Sequence, residues 1–344
     1  GTSPAAAAAA ATHSRSAPLA MRPGYLGLAE RGELRGRALA AWRSLERCGL
    51  CPRECGVNRL AGELGYCRMP AEPVVAAWNV HFGEEPPISG QGGSGTIFFS
   101  GCTGRCLFCQ NYPISQLGVG QRVTVHRLAG MMLELQRRGC HNINLVTATH
   151  FIPAFLRALD IAARGGLRVP IVYNTSGYEK VDTLRLLHGV VDIYLPDAKY
   201  ADDEVARELS GFVNYVAVNR AALREMARQV GAHLLVGERG IAWRGMIVRH
   251  LVLPNGLAGT RAVLTWIAEE LSRRVPVSLM SQYFPAHKAL QHPLIGRKIN
   301  DDELLAAIEA LEQSGLEQCF LQEPFEEGDH EPVAGWERAR ESTA

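Results

Sequence analysis

The sequence predicts an α/β fold: an open, partial (β/α)6 barrel of the TIM type, preceded by a small cysteine-rich N-terminal region. Three observations carry this. Short β-rich stretches alternate with helix-like segments from residue 96 to residue 322. They form six strand-then-helix units, which implies parallel strands with helices outside, and falls short of the eight that close a barrel. Seven of the nine cysteines fall between Cys48 and Cys109, mostly ahead of the repeat. A doubly wound flat sheet is the alternative that pattern alone leaves open. In both architectures chemistry gathers at the carboxyl ends of the strands.

Residues 1–20 are alanine-rich with no charged start ahead of the apolar part, and they predict a disordered leader, with no signal peptide. Residues 21–95 form the N-terminal region, and GQGGSG at its end predicts a flexible joint into the first strand. The strands follow as TIFFS (96–100), INLVT (143–147), PIVYN (170–174), VDIYL (191–195), MIVRHLVL (246–253) and PVSLM (276–280). Between them lie helical segments. The first, HRLAGMMLELQRRG, places Leu128, Met131, Met132 and Leu135 on one face, the stripe of a helix lying on a sheet. Residues 323–344 are charged and punctuated by proline and glycine, and predict a flexible tail.

Composition bounds the function. The chain has 344 residues, 47% hydrophobic and 21% charged, with 36 Lys and Arg against 35 Asp and Glu. That balance gives no field to attract nucleic acid or an anionic membrane. No apolar run approaches the roughly 18 residues of a membrane span. Nine cysteines without a secretory signal predict metal or catalytic use in a reducing compartment, hence a cytoplasmic protein.

Each predicted strand runs into polar residues: TIFFS into GCTGRCLFCQN, INLVT into ATHF, PIVYN into TSGY, VDIYL into PDAK and PVSLM into SQYFPAHK. In the first of these loops Cys102, Cys106 and Cys109 lie within eight residues. Thiolates suit iron-sulfur clusters and zinc. Three sulfurs on a four-iron cluster leave one iron open to a substrate or cofactor. Structural zinc wants four protein ligands, and the nearest extra candidates, His126 and Cys140, lie well beyond the loop.

The spacing Cys102-x3-Cys106-x2-Cys109, with Phe108 directly before the third cysteine, resembles the signature of the radical S-adenosylmethionine (SAM) superfamily. FFSGCTGRCLFCQN resembles the cluster loop of pyruvate formate-lyase activating enzymes, and residues 48–322 are similar to the uncharacterised iron-sulfur proteins related to them. The resemblance implies a [4Fe-4S] cluster on the three cysteines, with SAM chelating the fourth iron. It implies reductive cleavage of SAM to a 5′-deoxyadenosyl radical that abstracts hydrogen from a substrate. It further implies an electron donor such as flavodoxin or ferredoxin, and a substrate that is a protein glycine, as in glycyl-radical enzyme activation, or a small molecule or peptide.

Carried over residue by residue, the resemblance places Phe108 near the adenine. Asn174 and Ser176 of NTSGY stand where the activases have a similar turn, and would reach polar groups of SAM. Asp197 and Lys199 match an Asp-x-Lys pair that would hold ribose hydroxyls and the methionyl carboxylate. Arg249 matches an arginine suited to a bidentate hold on a carboxylate. The activases' Gly-Gly-Glu, which meets the methionine amine, is replaced here by Thr147 to Phe151. Thr147 and Thr149 keep oxygens that accept from an ammonium. His150 is a candidate substrate-side acid or base, or a strand-end histidine satisfied by backbone. Gln282, Tyr283 and His287 follow the sixth strand without an individual role, and His250 is expected to be packed.

Cys48, Cys51, Cys55 and Cys67 form a complete set of four, which predicts a closed metal site, zinc or a second iron-sulfur cluster, structural or relaying electrons. Arg53, Arg59 and Arg68 around it read as a solvated face. Cys140 and Cys319 read as buried core thiols. A non-catalytic zinc or iron-sulfur protein, with both sites structural, is the reading that competes with an enzyme.

Overall fold

The computed structural model describes residues 22–322; the expected leader and tail lie outside the described residues. The strands are β1 (Val74–His81), β2 (Ser94–Phe99), β3 (Gln121–Arg122), β4 (Ile143–Val146), β5 (Ile171–Thr175), β6 (Ile193–Pro196), β7 (Leu235–Val236), β8 (Ala242–Met246), β9 (Val248–Leu251), β10 (Val277–Met280) and β11 (Cys319–Gln322). β2, β4, β5, β6 and β8 are parallel neighbours in that order, and β9, β10 and β11 continue in parallel.

The predicted strand 246–253 is a kinked one, split at Ile247 into β8 and β9. Across the kink the Ile247 N–H still donates to Tyr194 O at 3.0 Å, and Ala198 N–H donates to Arg249 O at 2.7 Å. A parallel bridge pairs Asp197 with Arg249. The two ladders therefore form one curved wall, a partial barrel of six strand–helix units ended by β11, which the sequence reading did not foresee. Helices between the strands, among them Val125–Arg137, Ile152–Arg164 and Tyr215–Val230, cover the outside.

Strand alternation sorts the residues. Ile97, Phe99, Leu145, Tyr173 and Met246 face outward and pack with Leu128, Met131, Met132 and Leu135, all buried as the helical stripe predicted. Val172, Ile193, Leu195 and Ile247 face inward. They close the bottom of the barrel together with Ile88, which comes from the connection between β1 and β2.

That connection departs from the expected organisation. β1 pairs antiparallel with β2, so the N-terminal region runs directly into the barrel as a hairpin. GQGGSG is not a flexible joint. Ser94 is fully buried and its Oγ donates to Asn142 Oδ1 at 2.7 Å, while Gly92 N–H donates to His141 Nε2 at 2.8 Å. Glu85, Ile88 and Ser89 of this connection are buried and plug the barrel. The short helix Pro86–Ser89 carries Ile88 into the interior, where Asn142 Nδ2 caps its carbonyl at 2.8 Å.

Cys140 is buried as expected, but Cys319 is exposed, because among the described residues β11 is the outer edge of its ladder. The arginines of the N-terminal region are not a solvated face. Arg59 is buried and donates to His150 O at 2.7 Å; Arg53 stacks on the Tyr66 ring at 3.8 Å and reaches Thr103 O at 3.0 Å and Gly211 O at 2.6 Å. Arg68 alone of the three is exposed. Among the described residues no helix is long and apolar enough to cross a membrane.

Candidate active site

β2 delivers the three-cysteine loop to the mouth of the barrel. At Gly101, φ is +80° and a Cβ would lie 2.3 Å from Met69 Cγ and 2.9 Å from Cys67 O, so only glycine lets the loop pass under the N-terminal region. The loop is then anchored from several sides. Arg105 and Leu107 N–H groups donate to Ser210 O and Leu209 O at 2.9 and 2.8 Å, and Leu107 O accepts from Lys288 and Ala289 N–H at 2.9 and 3.0 Å. The Arg105 guanidinium holds Cys102 O and Tyr66 O.

Each sulfur has a polar neighbour. Gly104 N–H donates to Cys102 Sγ at 3.3 Å, Ser210 Oγ donates to Cys106 Sγ at 3.0 Å, and Ser115 Oγ lies 3.2 Å from Cys109 Sγ. Burial pushes the Cys102 thiol up to about 12 and the Cys109 thiol up to about 11, with Cys106 adding to both. These buried thiols stay protonated until a metal draws the protons off.

The three cysteines open onto a cavity of about 380 Å³. Phe108, Thr147, Asn174, Ser176, Asp197, Lys199 and Arg249, foreseen from sequence, all line it. Phe108 meets Tyr283 edge-on at 5.6 Å. Lys199 Nζ pairs with Asp197 Oδ2 at 2.7 Å. Burial works against the Lys199 charge, but the Asp197 carboxylate more than offsets it and holds the ammonium above its ordinary range. Thr147 adopts a left-handed φ of +59°, a costly conformation for a β-branched residue, at the point where β4 ends on the cavity wall.

The helix Tyr215–Val230 positions the turns that end β5 and β6. Tyr215 Oη donates to Ser176 O at 3.0 Å and accepts from Lys199 N–H at 2.9 Å; Asn219 Nδ2 donates to Asp197 O at 2.9 Å and Gly177 O at 3.2 Å. A Cβ at Gly177 would lie 2.2 Å from both Asn219 Nδ2 and Asp197 O.

A family model, that of the Radical SAM superfamily, matches residues 96–237, from β2 through the cysteine loop to β7. The chain is also 31% identical over 281 residues to an uncharacterised protein, MJ0674, of Methanocaldococcus jannaschii, covering 80% of this chain and 77% of that one. The chain belongs to the radical SAM superfamily. Membership implies a [4Fe-4S] cluster and SAM, and the site suits them: three soft ligands, each with a polar neighbour, border one polar-lined cavity. Among solved structures, that of TYW1 with a lysine-pyruvate adduct bound matches with a TM-score of 0.41 at 11% identity, over 63% of this chain and 73% of that one.

Three expected site residues of this radical SAM chain are placed differently. Thr149 does not line the cavity: it is buried, and its Oγ1 donates to Glu179 Oε1 at 2.6 Å. His150 is buried behind the cluster loop with Nε2 2.7 Å from Ser100 O, and burial, with Arg59 adding, pushes it down to about 3. It is a neutral packing residue, out of reach of the mouth. Arg249 does line the cavity, but Glu84 and Glu85 fill its guanidinium fork: Nε to Glu85 Oε1 at 2.8 Å, Nη2 to Glu85 Oε2 at 2.7 Å, and Nη2 to Glu84. Carboxylates of the chain itself occupy the fork expected to hold one of SAM. His250 is packed as expected, between Ala198 O and Thr260 Oγ1.

Sequence reasoning missed Glu84 and Glu85, together with Tyr215, Asn219 and Ser210. The adjacent acids of HFGEEPP were the one available signal, since two carboxylates beside prolines seldom stand in a buried connection without a partner.

Cys48, Cys51, Cys55 and Cys67 lie within electrostatic reach of one another. Burial pushes the Cys51 thiol up to about 12, with Cys67 and Cys48 adding, and Tyr66 N–H donates to Cys55 Sγ at 3.3 Å. Among the described residues, no three His, Cys, Asp or Glu side chains are drawn into a metal-holding arrangement, and the nine cysteines are free thiols.

Proposed function

We propose that this radical SAM enzyme abstracts a hydrogen atom from a substrate at the barrel mouth, with a [4Fe-4S] cluster on Cys102, Cys106 and Cys109 and SAM beside it. The carrying observation is convergence: the thiols and the strand-end residues of β4, β5, β6 and β9 border a single cavity. The cluster and SAM, when bound, supply one-electron cleavage and hydrogen-atom abstraction.

The chain's own residues bind and orient. Asp197 accepts from ribose hydroxyls, and Lys199, kept charged by Asp197, meets the methionyl carboxylate. Phe108, steadied by Tyr283, packs against the adenine. Asn174, Ser176 and the Thr147 turn offer the remaining polar contacts. Phe98, Leu251 and Met280 line the same cavity and exclude water from it.

A polypeptide is our reading of the hydrogen donor, with a protein glycine the nearest analogy from the cluster loop. Leu117 and Leu290 are both about two-thirds exposed, on segments adjoining that loop, and suit an apolar partner. The electron comes from a donor such as flavodoxin or ferredoxin in a reducing, cytoplasmic setting. Cys48, Cys51, Cys55 and Cys67 are read as a second site, for zinc or a second iron-sulfur cluster; the electrostatic influence of Cys48 and Cys67 on Cys51, and of Cys55 on Cys67, supports this, and metal analysis of a Cys51→Ser variant tests it.

The function is tested with anaerobically reconstituted protein, SAM and dithionite. 5′-Deoxyadenosine forms with the wild type and not with Cys106→Ala. A Cys106→Ala variant that still cleaves SAM, or a colourless protein holding only zinc, overturns the reading.

A further inference from the structure

The barrel plug places an unbalanced charge under the cavity. Glu84 and Glu85 side chains are 6% and 0% exposed, and the one cation that meets them among the described residues, Arg249, is 11% exposed. Two buried carboxylates share one guanidinium. The sharing is unequal. Glu85 takes Nε and Nη2 in a bidentate pair, whereas Glu84 meets Nη2 alone and accepts from Asn144 Nδ2 at 2.8 Å.

Of the two acids only Glu84 lines the cavity. The other charged pair there, Asp197 with Lys199, is already neutral. A second observation points the same way. Asn144 is fully buried beside Glu84, and its Oδ1 has no hydrogen-bond partner among the described residues. A surplus carboxylate on the cavity wall, with an unused amide oxygen beside it, forms a site for a positively charged donor, because a buried anion is costly until a cation completes it.

We infer that Glu84 is the cation subsite of this cavity and takes an organic ammonium or sulfonium group. The inference rests on the SAM reading of the cavity. The cation has two sources: SAM itself, through its ammonium or its sulfonium, or an amine on the substrate. A residue of the plug, outside the strand-end set, thereby supplies a carboxylate that the ATHF turn lacks.

The test compares wild type with Glu84→Gln, both reconstituted, matched for iron content and melting temperature, and read by equilibrium binding. The probes are SAM, S-adenosylhomocysteine, which lacks the sulfonium charge, and n-butylammonium added to SAM-loaded protein. Losing a charge-assisted hydrogen bond weakens binding roughly tenfold to hundredfold. Equal weakening of SAM and S-adenosylhomocysteine identifies the ammonium; weakening of SAM alone identifies the sulfonium; weakening of n-butylammonium alone identifies a substrate amine. Unchanged affinity for all three overturns the inference. Wild-type protein with a loaded cluster that does not bind SAM overturns the SAM reading instead.

A measurement on the wild type needs no variant. Before SAM is added, n-butylammonium binds at least tenfold more tightly than n-butanol if Glu84 is a cation subsite. Equal binding of the two refutes it.

Discussion

Replacing Arg249 with methionine removes the one guanidinium that Glu84 and Glu85 share. Methionine keeps much of the apolar stem but leaves two carboxylates without a cation, and Glu85 is wholly buried. Removing one partner of a buried pair costs about 3–5 kcal/mol, because the remaining charge loses its compensation. At about 2–3 °C for each kcal/mol in a chain of this size, the melting temperature falls by about 6–15 °C. The readout is a thermal melt followed by circular dichroism on cluster-free protein.

The same variant has a signature in pH. Burial pushes the Glu85 carboxyl up, but the charge and hydrogen bonds of Arg249, with Ser278, outweigh it and hold the group below the ordinary carboxylate range. A depressed acid stabilises the fold above its unfolded pKa, and that contribution is lost as pH falls through the folded value. Without Arg249 burial prevails, so Glu85 is raised and folding then favours its protonation. The deficit of Arg249→Met is therefore greatest near neutral pH and narrows on acidification. Adding Glu84→Gln and Glu85→Leu to Arg249→Met recovers most of the loss, since replacing a whole buried pair is near neutral. A melting temperature within about 3 °C of wild type, or a deficit that does not change with pH, refutes the assignment of this cluster as a buried ion pair.

Other positions give sharper local tests. Asp197→Asn strips Lys199 of its carboxylate and is expected to weaken SAM binding roughly tenfold to hundredfold at unchanged iron content, measured by equilibrium dialysis. Gly177→Ala drives a methyl group into Asn219 and the Asp197 carbonyl and is expected to destabilise by about 2–4 kcal/mol in urea unfolding, with Gly177→Ser no better. Thr147→Gly relieves a left-handed backbone and is expected to stabilise by about 1 kcal/mol while loosening SAM, a split that unfolding and binding measurements separate.

The cavity was legible in the sequence to the extent that it is built from strand ends. A parallel strand running into a polar turn is a local pattern, and the barrel then brings all such turns to one rim. Cys102, Asn174, Asp197 and Arg249 are therefore placed together by the sequence pattern alone. Thr149 and His150 show the limit of the rule. They follow β4 within four residues, but the chain turns at Thr147 into the short helix Thr149–Phe151, which aims both side chains away from the mouth. Direction at a strand end depends on a backbone angle that residue type alone does not reveal.

The plug was illegible for a different reason. Glu84 sits in a connection between antiparallel strands, a context that in isolation reads as solvent-facing. What buries it is the gap left by an incomplete barrel, a property of the whole wall and of no residue in it. Six strand–helix units do not close, so the interior needs a filler, and the β1–β2 hairpin, paired to the wall's first strand, is placed to provide it. Ile88 fills the apolar bottom, and the residues just before it meet the polar layer above, where Asn144 and Arg249 face inward. An apolar filler at 84 and 85 would leave Arg249 without a partner, and a single acid would balance it. Two acids exceed what the wall requires, and the excess lies on the side that faces the cavity.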